Sequence, residues 1–173
     1  MKKDGKVFTI KALTVILSVL CIYTIAMAEE DKEYYNSGKL KSVVNLVDGK
    51  KEGIAKYYHE NGNLWAEYPF VNDVREGLCR EYYKSGILYI EYYWKNDNKN
   101  GLSKEYYKDS GKLKSESNYI DGKKQGVTKI YYESGELWAE YPYKSDKLDG
   151  ILKEYKKDGT LFKKNRYKNG VSQ

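Results

Sequence analysis

The hexapeptide LWAEYP occupies residues 64–69 and recurs, letter for letter, at 137–142. The interval between the two copies is itself composite. Turn-type dipeptides end in Gly38, Gly62, Gly86, Gly111, Gly135 and Gly159, at steps of 24, 24, 25, 24 and 24. A second series, Gly53, Gly77, Gly101, Gly126 and Gly150, keeps those steps. One column holds Tyr34, Tyr58, Tyr82, Tyr106, Tyr131 and Tyr155, another Leu40, Leu64, Leu88, Leu113, Leu137 and Leu161. A fixed period of this length marks a repeat architecture, in which each unit covers itself against its neighbours.

Each unit reads as a β-hairpin. Asn61-Gly62, Ser85-Gly86 and Ser134-Gly135 separate β-prone runs, and such dipeptides suit two-residue turns that need positive φ. Asp109-Ser110-Gly111 is longer by one position and reads as a hairpin with a glycine bulge. The second glycine series turns the chain into the next hairpin. A two-residue turn at Ser85-Gly86 sets Tyr82 opposite Tyr89 and Arg80 opposite Glu91. The same arithmetic pairs Tyr58 with Trp65, Lys56 with Glu67, Tyr131 with Trp138, Lys129 with Glu140 and Lys104 with Glu116. Bases then meet acids across the strands, beside aromatic pairs on the same face. The opposite face is expected to carry the leucines with Tyr83, Ile90, Tyr92 and Tyr132. Six hairpins are expected, near 33–53, 54–77, 78–101, 102–126, 127–150 and 151–173. The expected fold is all-β: one elongated, twisted antiparallel meander sheet preceded by a signal-peptide helix.

Residues 1–28 stand apart. Basic MKKDGKVFTIK precedes the apolar run ALTVILSVLCIYTIAMA, and the composition then turns polar. This is the plan of a secretory signal, with Ala26-Met27-Ala28 as the cleavage triplet and export the implication. The alternatives are an uncleaved anchor and a lipoprotein modified at Cys21, although Leu20 stands where the latter needs a small residue. Cleavage after Ala28 leaves 29–173, takes 31 basic residues to 27 and 25 acidic ones to 24, and lowers the net charge from +6 to about +3. Cys79 remains alone, so packing and strand pairing, not a disulfide, must hold the fold.

Candidate chemical groups have plainer explanations. His59 is the only histidine, which excludes a histidine metal cluster and a histidine-based triad. Cys79 aligns with Ala55, Ser103 and Thr128, a small-residue strand position. Each glutamate that might serve in acid–base work has a base across the strand. Asp48-Gly49 and Asp121-Gly122 lack the ligand spacing of a calcium loop. There is no phosphate loop or dinucleotide fingerprint. No cofactor, metal, nucleic acid or small-molecule substrate is expected. The residues expected to bind a partner are Tyr58, Trp65, Tyr82, Tyr89, Tyr131 and Trp138, taken as one aromatic face.

Taken together, the YYxNGxLxxE pattern and its second glycine-bounded turn resemble the MORN repeat variant of bacterial exported proteins, many of them in an antitoxin-like family. The resemblance spans about 35–170, and the last unit departs from it, with Lys164 in place of the glutamate. It implies hairpins stacked into one sheet and no catalytic residues. The expected function is a noncatalytic exported scaffold that binds a protein at the cell envelope or outside the cell. A glycan- or cell-wall-binding module and an antitoxin neutralising a cognate toxin are the alternatives. An unpaired first strand around Tyr34 leaves room for two copies to join.

Overall fold

The structure, a computed structural model, describes residues 27–173. The expected signal helix lies outside the described residues. What is described is all-β: seventeen strands in one open antiparallel sheet. β1 (Ala28–Tyr34) pairs with β2 (Leu40–Val47). A short β3 (Lys50–Lys51) continues the ladder, and β4 (Gly53–Tyr58) then pairs with both β2 and β5 (Leu64–Val71). The same order recurs in β6 (Val74–Arg75), β7 (Gly77–Tyr82) and β8 (Leu88–Lys95). β9 (Asn98–Tyr106) is continuous and pairs with β10 (Leu113–Ile120). β11 (Lys123–Lys124), β12 (Gly126–Tyr131) and β13 (Leu137–Lys144) follow. β14 (Lys147–Leu148), β15 (Gly150–Tyr155), β16 (Leu161–Lys168) and β17 (Val171–Ser172) complete the meander.

Contrary to expectation, the tight turns fall not on the second glycine series but four and five residues before it; Gly53, Gly77, Gly126 and Gly150 instead begin strands, and Gly101 lies within β9. Asn72-Asp73, Asn96-Asp97 and Ser145-Asp146 have positive φ at both positions, as do Asp48-Gly49 and Asp121-Gly122. These are the two-residue hairpin turns whose twist matches the strands. The Asn-Gly and Ser-Gly turns are wider, which corrects the two-residue reading. Gly86 N–H donates to Tyr83 O at 2.8 Å and Tyr83 N–H to Ile87 O at 2.8 Å. That pattern closes a three-residue loop with a glycine at positive φ. The inserted residue gives the fourth unit a four-residue loop, closed by Tyr107 N–H to Lys112 O at 2.8 Å.

A bulge follows each wide turn and offsets its extra residue. Glu81 pairs with Ile90, but Tyr82 pairs with Leu88, leaving Tyr89 without a partner. Beyond the bulge the expected pairs stand: Lys56 with Glu67, Arg80 with Glu91, Lys104 with Glu116, Lys129 with Glu140. Before it they do not. Tyr58, Tyr82 and Tyr131 pair with Leu64, Leu88 and Leu137, not with Trp65, Tyr89 and Trp138. A slip of one residue exchanges faces. Here the bulge confines that exchange to two positions, moving the leucines onto the tyrosine-column face and the Trp/Tyr column off it.

The two faces are unequal. Among the described residues, every buried one lies on the same face: Ala55, Ala66, Cys79, Ser103, Thr128, Ala139 and Leu152 in the middle, flanked by Ser42, Val44, Phe70, Tyr92 and Ser117. No second layer covers it among the described residues, so the rings of that face lie down over small side chains. Tyr57 packs against Tyr68 and edge-on to Trp65, with centroids 5.6 and 6.0 Å apart. Ala66, fully buried, sits in the ladder between Tyr57 and Glu81. The small-residue columns thus leave the space that the tyrosines fill.

Candidate functional site

On the open face, charge alternates across the strands: Lys56, Glu67, Arg80, Glu91, Lys104, Glu116, Lys129, Glu140, Lys153. Each glutamate stands between two bases. The close contacts are Lys153 to Glu140 at 2.9 Å, Arg80 to Glu91 at 3.7 Å and Lys129 to Glu116 at 3.7 Å. The Lys153 hydrogen bond holds the Glu140 carboxyl below its ordinary range. A carboxylate flanked in this way is poorly suited to accept a catalytic proton at neutral pH.

The Tyr-Tyr dyads join three successive units. The first tyrosine reaches back to the previous glutamate, Tyr82 to Glu67 at 3.2 Å, Tyr106 to Glu91 at 2.8 Å and Tyr131 to Glu116 at 2.7 Å, and Tyr155, which Lys156 follows, does the same to Glu140 at 3.0 Å. Burial, and then that hydrogen bond, push Tyr106 and Tyr131 up to about 12. The second tyrosine reaches forward to a carbonyl. Tyr35 donates to Tyr58 O at 2.6 Å, Tyr83 to Tyr106 O at 3.1 Å, Tyr107 to Tyr131 O at 2.6 Å and Tyr132 to Tyr155 O at 2.8 Å. His59 replaces one of these tyrosines, and its Nε2 donates to Tyr82 O at 3.1 Å.

The tight turns are tied in the same sense. Asp73 Oδ1 accepts from Lys51 N–H, Asp97 Oδ1 from Arg75 N–H and Asp146 Oδ1 from Lys124 N–H, at 2.8, 3.2 and 2.8 Å. The covered face adds a ladder that the sequence did not reveal. Lys51, Arg75 and Lys124 stack over Phe70, Trp94 and Tyr143, each two strands further on, at 5.1, 3.8 and 5.1 Å. Lys99 lies 4.0 Å from the Tyr92 ring and 5.6 Å from Tyr119, and burial pulls its pKa down. Such contacts join neighbouring units by attraction between a cation and a ring face. Their signal in the sequence is a basic residue two places before the second-series glycine.

The six residues expected to form one aromatic face are split. Tyr58, Tyr82 and Tyr131 stay on the open face, and the latter two are tied to glutamates. Trp65, Tyr89 and Trp138 lie on the covered side near the wide turns. Trp65 meets Tyr57 and His59, Tyr89 meets Tyr83 at 4.9 Å, and Trp138 meets Tyr132 at 6.2 Å. Lys114 fills the gap in the fourth unit, paired with Glu105 at 2.6 Å. Trp65 and Trp138 remain 42% and 38% exposed, so this column is a margin that the dyads cover only in part. The open face has an apolar row of its own, in which Ile54, Tyr93, Leu102 and Val127 are about half exposed beside Pro69 and Pro142.

The remaining titratable candidate is structural. Cys79 is fully buried, and burial pushes its thiol up to about 12. Thiolate is the reactive form. Iodoacetamide should therefore leave Cys79 of the folded protein unmodified over hours at neutral pH and alkylate it within minutes in denaturant. Rapid native labelling, read by intact mass, would reopen a role for this thiol. Among the described residues no cluster of His, Cys, Asp or Glu is placed to hold a metal.

No curated protein sequence matches the chain. The family model described as MORN repeat variant matches five times, at 32–48, 51–72, 75–96, 99–121 and 124–145. The matched segments follow one another along most of the sheet. Each contains one wide turn with its flanking strands and ends at the first residue of a tight turn. With the period, the Tyr-Tyr dyads and the second-series glycines accounted for unit by unit, this chain belongs to the MORN repeat variant family.

Proposed function

We propose that this chain is a noncatalytic, exported repeat scaffold that holds a protein partner along its Trp65–Tyr89–Trp138 margin. The supporting observation is that the dyad tyrosines and the charge row are committed to ties between units, whereas the two indoles keep about 40% of their surface exposed. Exposed aromatic rings at a fixed spacing, on a rigid frame, are what interface hot spots are made of. Repeats of this family generally serve protein or membrane-lipid binding, which agrees with a scaffold role. The leader-like segment 1–28 supports export, with Glu29 as the first residue of the mature chain.

Affinity capture at the native cell surface tests this. Trp65→Ala and Trp138→Ala should each weaken capture of the protein partner by roughly 1–2 kcal/mol while leaving a folded sheet. Ile54→Ser and Leu102→Ser, on the open face, should leave capture unchanged. The reverse pattern would move the site to the open face. Binding only to peptidoglycan or to lipid vesicles would replace the protein partner. Relief of a toxin encoded beside this gene would favour the antitoxin reading.

A further inference from the structure

Among the described residues, the outermost long strands of the sheet, β1 and β16, carry opposite charge. β1, AEEDKEY, has Glu29, Glu30, Asp31 and Glu33 against Lys32. β16, LFKKNRYK, has Lys163, Lys164, Arg166 and Lys168 and no acid. Among the described residues, β1 pairs with β2 alone, and β16 has only β15 and the short β17. Edge strands commonly carry charge that discourages pairing with another chain. Here the charge is predominantly of one sign at each edge and opposite between them. It repels β1 from β1 and β16 from β16, and it attracts β1 to β16.

The repeat supplies the register as well. Neighbouring units meet through Ala66–Glu81 and Glu67–Arg80, and again through Ala139–Glu154 and Glu140–Lys153. Lys163 and Lys164 stand one period after Ala139 and Glu140, while Glu33 and Lys32 stand one period before Tyr57 and Lys56. β1 occupies the repeat position of β4, the strand that receives the preceding hairpin. Placed by the same rule, β16 of one copy meets β1 of the next with Lys163 beside Glu33 and then Asn165 beside Asp31, while Arg166, whose carbonyl already accepts from Gln173 N–H at 2.9 Å, reaches Glu30 by its side chain alone. Lys164 falls beside Lys32, whose ammonium Glu30 already holds at 2.7 Å, and Lys163 and Glu33 share their charges at the contact with Glu154 at 3.9 Å and Lys41 at 2.9 Å in their own chains. The ends also leave apolar surface bare, with Phe162 69% and Tyr34 44% exposed.

From this we infer that the chain associates head to tail with further copies of itself, β16 of one adding to β1 of the next as an antiparallel strand. Each copy keeps one acidic and one basic edge, so the contact is heterologous and does not close on itself by pairing like with like. Exposed ion pairs are individually weak and screened by salt. The association is therefore concentration-dependent and strongest at low ionic strength.

Sedimentation velocity on the mature chain, Glu29–Gln173, tests it. At about 0.01 M salt the weight-average mass should rise with concentration, and at about 1 M salt, where the screening length falls from ~30 to ~3 Å, it should return toward the monomer. Glu30→Lys with Glu33→Lys makes both edges basic, and Lys163→Glu with Arg166→Glu removes the basic excess from the other edge. Each double variant, shown folded by circular dichroism, should stay monomeric alone. Mixed in equal amounts they should associate, because the untouched edge of each variant finds a complementary edge in the other. A wild-type chain that is monomeric at low salt, association that survives either reversal, or a mixture of folded variants that stays monomeric would each overturn the inference.

Discussion

Between about pH 10 and pH 12 this protein is expected to lose its fold in a steep transition. The cause is the tyrosine staples. Tyr82, Tyr106, Tyr131 and Tyr155 donate hydroxyl protons to carboxylates, and Tyr68 and Tyr92 both donate to Glu81. Burial first, and the acceptor carboxylate next, raise each of them above the ordinary value of 10.0, Tyr106 and Tyr131 up to about 12 and Tyr68 and Tyr92 further. A pKa raised by folding means that the folded state holds the proton more tightly. The stabilisation is complete below the unfolded value and is withdrawn as pH rises through the folded one. Loss should thus begin near 10 and be well advanced at about 12, where ionised Tyr106 and Tyr131 can neither donate nor tolerate the adjacent carboxylate. Far-ultraviolet circular dichroism and tyrosinate absorbance, followed together, should show a group of tyrosines that titrates only as the sheet melts. If all tyrosines ionised near the free value with the sheet intact, the staples would contribute nothing to stability.

Gly150→Ala is expected to destabilise the protein by about 2–4 kcal/mol, combining backbone strain with overpacking. Gly150 has φ +132°, and a Cβ there would lie 3.0 Å from Pro142 Cβ and 3.1 Å from its Cγ. The proline of LWAEYP thus packs on the glycine that starts the first strand of the next unit. Pro69 and Gly77 repeat the arrangement at 3.2 Å. Gly126 is the control, since it has φ +80° and no atom within 4 Å of a built Cβ. Gly126→Ala should cost only the left-handed backbone term, about 1–2 kcal/mol. Pro142→Gly, which removes both Cβ and Cγ, should recover part of the loss in the Gly150→Ala background, and the double-mutant cycle in urea measures the coupling. Equal costs at Gly126 and Gly150, with no coupling to Pro142, would show that the contact carries nothing.

Each side chain of the hexapeptide has a separate task in the sheet. Leu64 pairs with Tyr58 on the open face, while Trp65 is carried by the bulge to Tyr57 and His59. Ala66 is the buried floor, Glu67 belongs to the charge row, Tyr68 binds Glu81, and Pro69 meets Gly77. The charge row was legible in the sequence because a two-residue turn and a three-residue turn followed by a bulge place Arg80 opposite Glu91 alike. For the same reason the charges could not reveal which turn was present, and Tyr89 was expected on the wrong face. The tight turns at Asn72-Asp73 and Asn96-Asp97 were hidden by the more conspicuous Ser-Gly and Asn-Gly pairs. The cation–ring ladder joins Lys51 to Phe70, and its counterparts likewise, across a strand interrupted before a glycine, so no simple hairpin arithmetic reaches it. The direction of the dyad hydroxyls is set by stacking between units, which a pattern within one unit does not specify.

Most ties between units recur in form from seam to seam, and this bears on how such a gene can change. Recombination between the two stretches that encode LWAEYP would excise positions 64–136, three whole units, and join Asn63 to Leu137. At the new seam Lys56 would face Glu140 as it now faces Glu67, Trp138 would lie on Tyr57, and Pro142 would keep its own Gly150. The reverse event would lengthen the array by the same amount with no unmatched side chain. The extra residue of the fourth unit, absorbed in a wide turn without disturbing Lys104–Glu116 or Tyr107–Tyr131, shows how an imperfect exchange can be accommodated. Array length is therefore a heritable variable that selection can adjust in whole hairpins, largely independently of the chemistry at either end.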